Sequence, residues 1–186
     1  ATKWAEWCSS RQPIEVVQGW SHAFPDSNIG LICGQGLVAV DIDTTTVSDT
    51  KLAAGVCRFV FENTPMAKVG KKGFTLLFRG NVKTIHRADL PLDILGAGTQ
   101  TVIPPSVHTD TGEPYRWKDG SELTALKELP EITDEHIEHL IEGLVNAGLK
   151  RKLDPNKLDG NVKGDEPQSV NYVERNGSLI KGNRNN

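Results

Sequence analysis

The stretch that most constrains the fold is LVAVDID at residues 37–43, where an apolar run ends in two carboxylates. A short apolar run of this kind is typical of a buried strand. Side chains two apart on a strand share a face, so we expect Asp41 and Asp43 to project together. Neighbouring anions are costly unless a cation neutralises them, which predicts a hard divalent metal such as Mg²⁺ or Mn²⁺. The alternative is a strand that runs into an Asp-rich turn capped by residues 44–46.

Length, charge and cysteine content narrow the class of protein. The chain has 186 residues, enough for one sizeable domain with an appendage, and a formal net charge of -3. Because the charge is nearly balanced, any nucleic-acid contact would need a local basic patch. The sequence shows neither an apolar run of membrane-spanning length nor a signal peptide, so we expect no membrane association. Three scattered cysteines suit neither a disulfide framework nor a zinc site, which favours a reducing cytoplasm.

Local patterns predict a mixture of helices and strands. Helical spacing of apolar residues predicts helices that begin after Pro13, run through residues 52–60, and extend from Thr133 to Gly148. Strands are predicted at residues 29–33, 37–43, 73–79, 90–95, 100–103 and 115–117. The tight turn at residues 34–36 predicts that the first two strands form a hairpin.

A change in composition predicts where the domain ends. From residue 150 onward Lys, Asp, Asn, Gly and Pro dominate. We therefore expect one domain over residues 1–149 and a polar linker over residues 150–186. Because the only methionine is Met66 and the first residue is Ala1, we also expect the sequence to be a fragment of a longer protein.

A block of basic residues lies in the middle of the chain. Residues 64–88 contain no acidic side chain, and Gly70 and Gly73 flank a lysine pair, so the backbone can approach a ligand closely. Lysines on a glycine-rich turn suit a triphosphate or a template backbone. An exposed hairpin is the alternative. The bases of this block are Lys68, Lys71, Lys72, Arg79, Lys83 and Arg87.

Two further segments place polar side chains where the surrounding chain restricts them, one in an apolar strand and one after a pair of prolines. Asp93 lies in an apolar strand, where an unpaired carboxylate is costly, so it is a candidate third metal ligand. An edge strand with this carboxylate in water is the alternative. Pro104 and Pro105 fix an extended path that would hold Ser106 and His108 for contact with phosphate or sugar. Incidental polar residues in a turn are the alternative.

In their order along the chain, these motifs resemble the primase–polymerase (prim-pol) family. This family forms the N-terminal catalytic domain of many phage, plasmid and archaeal replication proteins and belongs to the archaeo-eukaryotic primase superfamily. The resemblance covers about residues 13–130. Its motifs are NIGL (28–31), LVAVDID (37–43), TP (64–65), GKKGFTLLFR (70–79), LDI (92–94), PPSVH (104–108) and YRW (115–117).

The resemblance implies an α/β (α+β) domain with an RRM-like, largely antiparallel sheet flanked by helices. It also implies template-directed nucleotidyl transfer by two Mg²⁺ or Mn²⁺ ions, which makes and extends primers during phage, plasmid or mobile-element DNA replication. Asp41, Asp43 and Asp93 would hold the metals. The incoming NTP or dNTP would contact Lys71, Lys72, Thr75, Arg79, Ser106 and His108. Lys68, Lys83 and Arg87 would contact single-stranded or primed DNA.

The resemblance also implies a setting and a partner. The protein would work in the cytoplasm of a bacterium or a phage-infected host. The tail KGNRNN at residues 181–186 is similar to the opening of a helical domain that bridges prim-pol to a helicase module. A helicase module is therefore expected in the same full-length protein.

One position departs from the family pattern. Thr75 stands where the family carries a histidine that contacts the nucleotide phosphates. Threonine donates a hydrogen bond but carries no positive charge, so Lys71, Lys72 or Arg79 would have to compensate. The departure favours one alternative, a replication-initiator domain that binds nucleic acid without turnover.

A second alternative is a phosphatase of the haloacid dehalogenase type, with Asp41 as its nucleophile. The segment VAVDIDTT at residues 38–45 resembles the first motif of that class. Its mechanism needs a parallel sheet, a later lysine and a later acidic pair. The sequence offers no good acidic pair before the tail.

Overall fold

The computed structural model describes residues 7–8, 10–61, 63–70, 73–109 and 111–151, together with the backbone of two later strands. Its helices are α1 (Ile14–Ala23), α2 (Val47–Val60) and α3 (Asp134–Asn146). Its strands are β1 (Ile29–Ile32), β2 (Leu37–Ile42), β3 (Ala67–Val69), β4 (Phe74–Gly80), β5 (Ile85–His86), β6 (Leu92–Leu95), β7 (Gln100–Ile103), β8 (Arg116–Trp117), β9 (Glu131–Ile132), β10 (Tyr172–Arg175) and β11 (Ser178–Lys181).

A seven-stranded sheet forms the centre of the fold. Its order is β5-β6-β2-β4-β3-β8, and β9 pairs with the far end of β4. Only the β4–β9 pair is parallel; the other pairs in this sheet are antiparallel. Along β2 the apolar Val38, Val40 and Ile42 pack into the larger core together with residues of α2 and α3. The predicted fold class, a largely antiparallel sheet flanked by helices, is confirmed.

The predicted hairpin between residues 29–33 and 37–43 is wrong. β1 pairs with β7 in a separate two-stranded ribbon, with Ile29 opposite Ile103. Only an isolated bridge between Gly34 and Leu37 crosses the turn. The reason is non-local: β4 and β6 occupy both edges of β2, so β1 has no edge of that strand to join.

The β1–β7 ribbon is fastened to the loop that follows it. The amide of Asn28 donates to the carbonyl of Val107 at 2.8 Å, and the backbone N–H of Val107 returns a bond to the Asn28 side chain at 2.9 Å. Leu31 and Cys33 then pack with Ala39 in a second, smaller core. The ribbon therefore covers part of the sheet face that the helices leave open.

Both ends of α3 lie where the sequence predicts them. Thr133 accepts a hydrogen bond from the backbone N–H of His136 as the N-cap, and Gly148 follows the helix with a φ of 71°. Both boundary predictions are confirmed. Within the predicted linker, β10 and β11 pair antiparallel, and Lys181 of the tail motif lies in β11. Residues 182–186 lie outside the described part of the chain.

Two phenylalanines provide a matched test of the core. Phe78 on β4 is 1% exposed and its ring lies 4.8 Å from that of Phe61, whereas Phe59 on α2 is 93% exposed. We expect Phe78→Ala to lower the free energy of unfolding by about 3–5 kcal/mol, because it leaves a cavity in the core. Phe59→Ala should change it by less than about 0.5 kcal/mol. Urea unfolding monitored by circular dichroism measures both, and equal losses would contradict this description of the core.

Candidate active site

A row of polar side chains crosses the open face of the sheet. Asp41 on β2 lies opposite Asp93 on β6 and opposite Thr75 on β4, and Thr75 in turn lies opposite Lys68 on β3. Directly opposed residues on neighbouring strands share a face, with Cβ atoms about 5 Å apart. We call these four residues the polar row. Three of them come from separate sequence motifs, and the sheet register brings them together.

Asp41 lies between Asp93 and Thr75 in the row and is partly buried. The hydroxyl of Thr75 donates a hydrogen bond to its Oδ1. Burial raises the pKa of the Asp41 carboxyl; the Thr75 bond and the Lys68 charge oppose this, and the charges of Asp93 and Asp43 add to it. An ionised carboxylate held in this way is costly by itself. A cation at the row would remove that cost.

Asp43 continues the face of Asp41 just beyond the end of β2. Its backbone N–H donates to the carbonyl of Pro91 at 3.0 Å, which extends the pairing with the β6 side of the sheet. Gly73 approaches from the other side with a φ of 64°, and a Cβ there would lie 1.7 Å from the carbonyl oxygen of Ile42. Only glycine permits this approach, so Gly73 lies directly against the backbone of β2 beside Asp43.

Asp93 has two partners that sequence reasoning missed. Nδ1 of His86 lies 3.1 Å from its Oδ1, and Nη2 of Arg151 lies 2.8 Å from its Oδ2. The Arg151 guanidinium also donates to the carbonyls of Leu90 and Leu92, at 2.9 and 3.3 Å. Arg151 lies just past the predicted domain boundary, where no local pattern marks it as part of a site. His86 and Arg151 together orient Asp93. A carboxylate has more acceptor positions than these two contacts use, so Asp93 can still bind another ligand.

The three aspartates supply the right kind of donor for a hard divalent ion. Carboxylate oxygens are the ligands that Mg²⁺ and Mn²⁺ prefer. Asp41 faces Asp93, and Asp43 lies two residues further on the same side. In the described ranges, no three or more His, Cys, Asp or Glu side chains are placed so that together they could hold a metal ion. The type of donor therefore fits the predicted ions, whereas the arrangement of the side chains in this structure does not by itself form a metal site.

Lys68 completes the row on the side away from Asp93. Its side chain is buried, and its Nζ lies 4.5 Å from the centre of the Tyr115 ring, within the range of a cation–π contact. Burial lowers the pKa of this ammonium group, and the nearby Asp41 and Cys33 oppose the shift. Gly70 leaves room for the ring, since a Cβ there would stand 3.2 Å from it. Lys68 was predicted to face template, but it lies inside the polar row.

Ser106 and His108 lie beside the row rather than in it. Ser106 is buried, and its Oγ accepts a hydrogen bond from the backbone N–H of Ile29 at 2.7 Å, so it joins the loop to the β1–β7 ribbon. The ring of His108 lies 5.9 Å from that of Tyr115. His108 is thus linked to Lys68 through one aromatic ring.

Arg79 lies at the other end of β4. It is four residues from Thr75, about 13 Å along a strand, and its guanidinium pairs with Glu131 at 2.8 Å. It borders a separate concavity of about 650 Å³ that also includes Arg11 and Lys127. Arg79 is therefore not gathered with the aspartates.

The remaining predicted bases differ in their surroundings. Lys83 is exposed on the loop between β4 and β5. Arg87 makes a two-bond pair with Asp89, at 2.8 and 2.7 Å, and this bonding lowers the pKa of the Asp89 carboxyl. Lys71 and Lys72 lie outside the described residues.

The sheet directions exclude one alternative. A phosphatase of the haloacid dehalogenase type needs a parallel sheet around its nucleophile, yet β2 is antiparallel to both of its neighbours. That alternative is therefore wrong.

Comparison with known protein families shows which family this chain matches. The family model described as "Bifunctional DNA primase/polymerase, N-terminal" matches residues 2–132, which include the whole polar row and Asp43 but not Arg151. No curated protein matches the chain. Among the described residues, no helix is long and apolar enough to cross a membrane.

Proposed function

The chain belongs to the prim-pol family, and we propose that it is a template-directed nucleotidyltransferase that makes DNA primers and extends them. Family membership assigns it a primase/polymerase-type role in replication. The observation that carries the activity is the position of Asp41, opposite Asp93 at the centre of the sheet and two residues before Asp43. The position suits a reaction that depends on divalent ions more than on protein acid–base groups.

Some side chains of the site would bind the metal ions, and others orient the carboxylates that bind them. Asp41, Asp43 and Asp93 would hold two Mg²⁺ or Mn²⁺ ions, which when bound activate the primer 3′-hydroxyl and neutralise the triphosphate. Thr75 holds one oxygen of Asp41 through its hydroxyl, which leaves the other oxygen free to turn towards an ion. Arg151 holds Oδ2 of Asp93, and His86 lies against its Oδ1. Fixed carboxylates of this kind reduce reorganisation during phosphoryl transfer.

The substrates and the setting follow from the same proposal. The template would be single-stranded or primed DNA, and the incoming substrate an NTP or dNTP. The exposed Lys83 would contact template, and His108 would lie near the nucleotide. The protein would act in the cytoplasm of a bacterium or phage-infected host, with a helicase module in the full-length chain.

Removal of metal tests this proposal directly. The protein would be incubated with labelled nucleotides, Mg²⁺ or Mn²⁺, and primed or unprimed single-stranded DNA of defined sequence. We expect incorporation that follows the template sequence and falls to background when EDTA removes the ions. The ratio of primed to unprimed product separates polymerase from primase activity. Template binding without incorporation in either metal would instead support a domain that binds nucleic acid without turnover.

A further inference from the structure

We infer that Lys68 is the phosphate-binding cation of this site and supplies the charge that Thr75 cannot carry. The inference rests on the proposed function, since it names the part of the nucleotide that Lys68 binds. Its basis is a buried lysine in the polar row that makes no close ion pair with a described residue, although the charge of Asp41 reaches it. Lys68 is 6% exposed, yet among the described residues no carboxylate lies within 4.0 Å of its ammonium and none accepts a hydrogen bond from it.

The ammonium group is nevertheless open to a ligand. No buried polar side-chain atom in the described ranges lacks a hydrogen bond. Because the Lys68 ammonium makes no such bond, it must keep some contact with solvent. Buried charges are normally paired, so a buried ammonium without a close ion pair suits an anion.

The register places this cation where a triphosphate would need it. Lys68 lies directly opposite Thr75, and Thr75 lies directly opposite Asp41. A nucleotide whose phosphates share metal ions with Asp41 would extend along the row towards Lys68. The Thr75 hydroxyl already donates to Asp41, so it has no proton left for a phosphate oxygen.

Other described cations are less suitable. Arg79 is paired with Glu131 at the far end of β4, and Arg87 is paired with Asp89. Arg151 is bound to Asp93, on the side of Asp41 opposite Lys68. Tyr115 supports Lys68 through its ring face, which attracts an ammonium without neutralising it.

The test uses binding rather than turnover. Isothermal titration calorimetry with dATP, pyrophosphate and deoxyadenosine, in Mg²⁺ and without template, would compare wild type with Lys68→Met and Lys68→Arg. Lys51→Met is the matched control at an exposed lysine of α2, the helix that packs on the other face of the sheet. For Lys68→Met we expect the Kd for dATP and for pyrophosphate to rise about ten- to a hundredfold, as when a charge-assisted hydrogen bond is lost. Lys68→Arg should stay within a few-fold of wild type, and Lys51→Met should not differ from it.

Other readouts separate this role from a structural one. Mn²⁺ affinity, measured by water proton relaxation, should be unchanged or higher in Lys68→Met, because a positive charge near Asp41 is lost. Unchanged dATP and pyrophosphate binding in Lys68→Met would overturn the inference, as would equal weakening for deoxyadenosine. If wild type binds dATP through Lys68 but adds no nucleotide to a template, the inference stands and the proposed function fails.

Discussion

Changing Asp41 and Asp43 together to asparagine is expected to lower nucleotide incorporation by at least about a thousandfold. Metal-mediated charge stabilisation amounts to several kcal/mol, and each 1.4 kcal/mol or so is a factor of ten in rate. Asparagine keeps the shape of both side chains but removes two anionic oxygen donors from the face beside Asp93. The measurement is template-directed incorporation in Mg²⁺ and in Mn²⁺. Activity within tenfold of wild type would contradict the role given to these carboxylates.

The same change should not destabilise the metal-free protein. Burial raises the pKa of Asp41, so the folded state holds its proton to a higher pH than the unfolded state does. The free energy of unfolding of the wild type therefore falls as the pH rises above about 4, the ordinary pKa of the group. It continues to fall until the pH passes the raised pKa of the folded state. The amide of Asp41→Asn has no charge to bury and can still accept the Thr75 hydroxyl bond. We expect an equal or higher melting temperature at pH 7, with Asp119→Asn on an exposed turn as the control that changes neither property.

Gly73→Ala is expected to cost at least about 4 kcal/mol, a large part of the roughly 5–15 kcal/mol by which an ordinary domain is stable. The new Cβ would lie 1.7 Å from the carbonyl oxygen of Ile42 and 2.8 Å from its carbonyl carbon. Both are backbone atoms of β2, so no rotamer change relieves the clash. Either Gly73 or the end of β2 must therefore move, and a movement of β2 at Ile42 would displace the neighbouring Asp43.

A second glycine separates this clash from the cost of backbone conformation. Gly98 also has a positive φ, 82°, but nothing lies within 4 Å of the place where its Cβ would be. Gly98→Ala should therefore cost only the conformational penalty, about 1–2 kcal/mol. Urea unfolding of both variants, together with Mn²⁺ binding to any folded fraction, makes the comparison. Similar losses for the two variants would show that the contact with Ile42 is not the cause.

Several features of the fold and site could be predicted because their cause is local. The apolar run before Asp41 and Asp43 predicts a buried strand, and the two-residue period alone places both carboxylates on one face. Thr133 and Gly148 mark the ends of α3 because an N-cap and a left-handed glycine act within one turn of the helix. The order of short motifs was also sufficient to predict the family, which the match over residues 2–132 bears out.

Other features could not be predicted because they depend on which segments meet. The turn before β2 pointed to a hairpin, but β1 pairs with β7 because both edges of β2 are occupied. Arg151 is 58 residues from Asp93 in the chain, and no spacing rule relates the two. Lys68 looked like one more surface base in a basic block. Its burial depends on Tyr115, which β8 brings alongside β3 only in the folded sheet.

The sequence by itself thus determined the family, the class of fold and the two neighbouring carboxylates, since each follows from a short pattern with a short-range physical cause. The tertiary structure alone decided which side chains join them. Cross-strand register sets Asp93, Thr75 and Lys68 in line with Asp41. The same register leaves Arg79 apart, although it lies on the same strand as Thr75. The buried face of each strand sets its register, but which strands become neighbours depends on segments far apart in the chain, so this alignment exists only in the folded sheet.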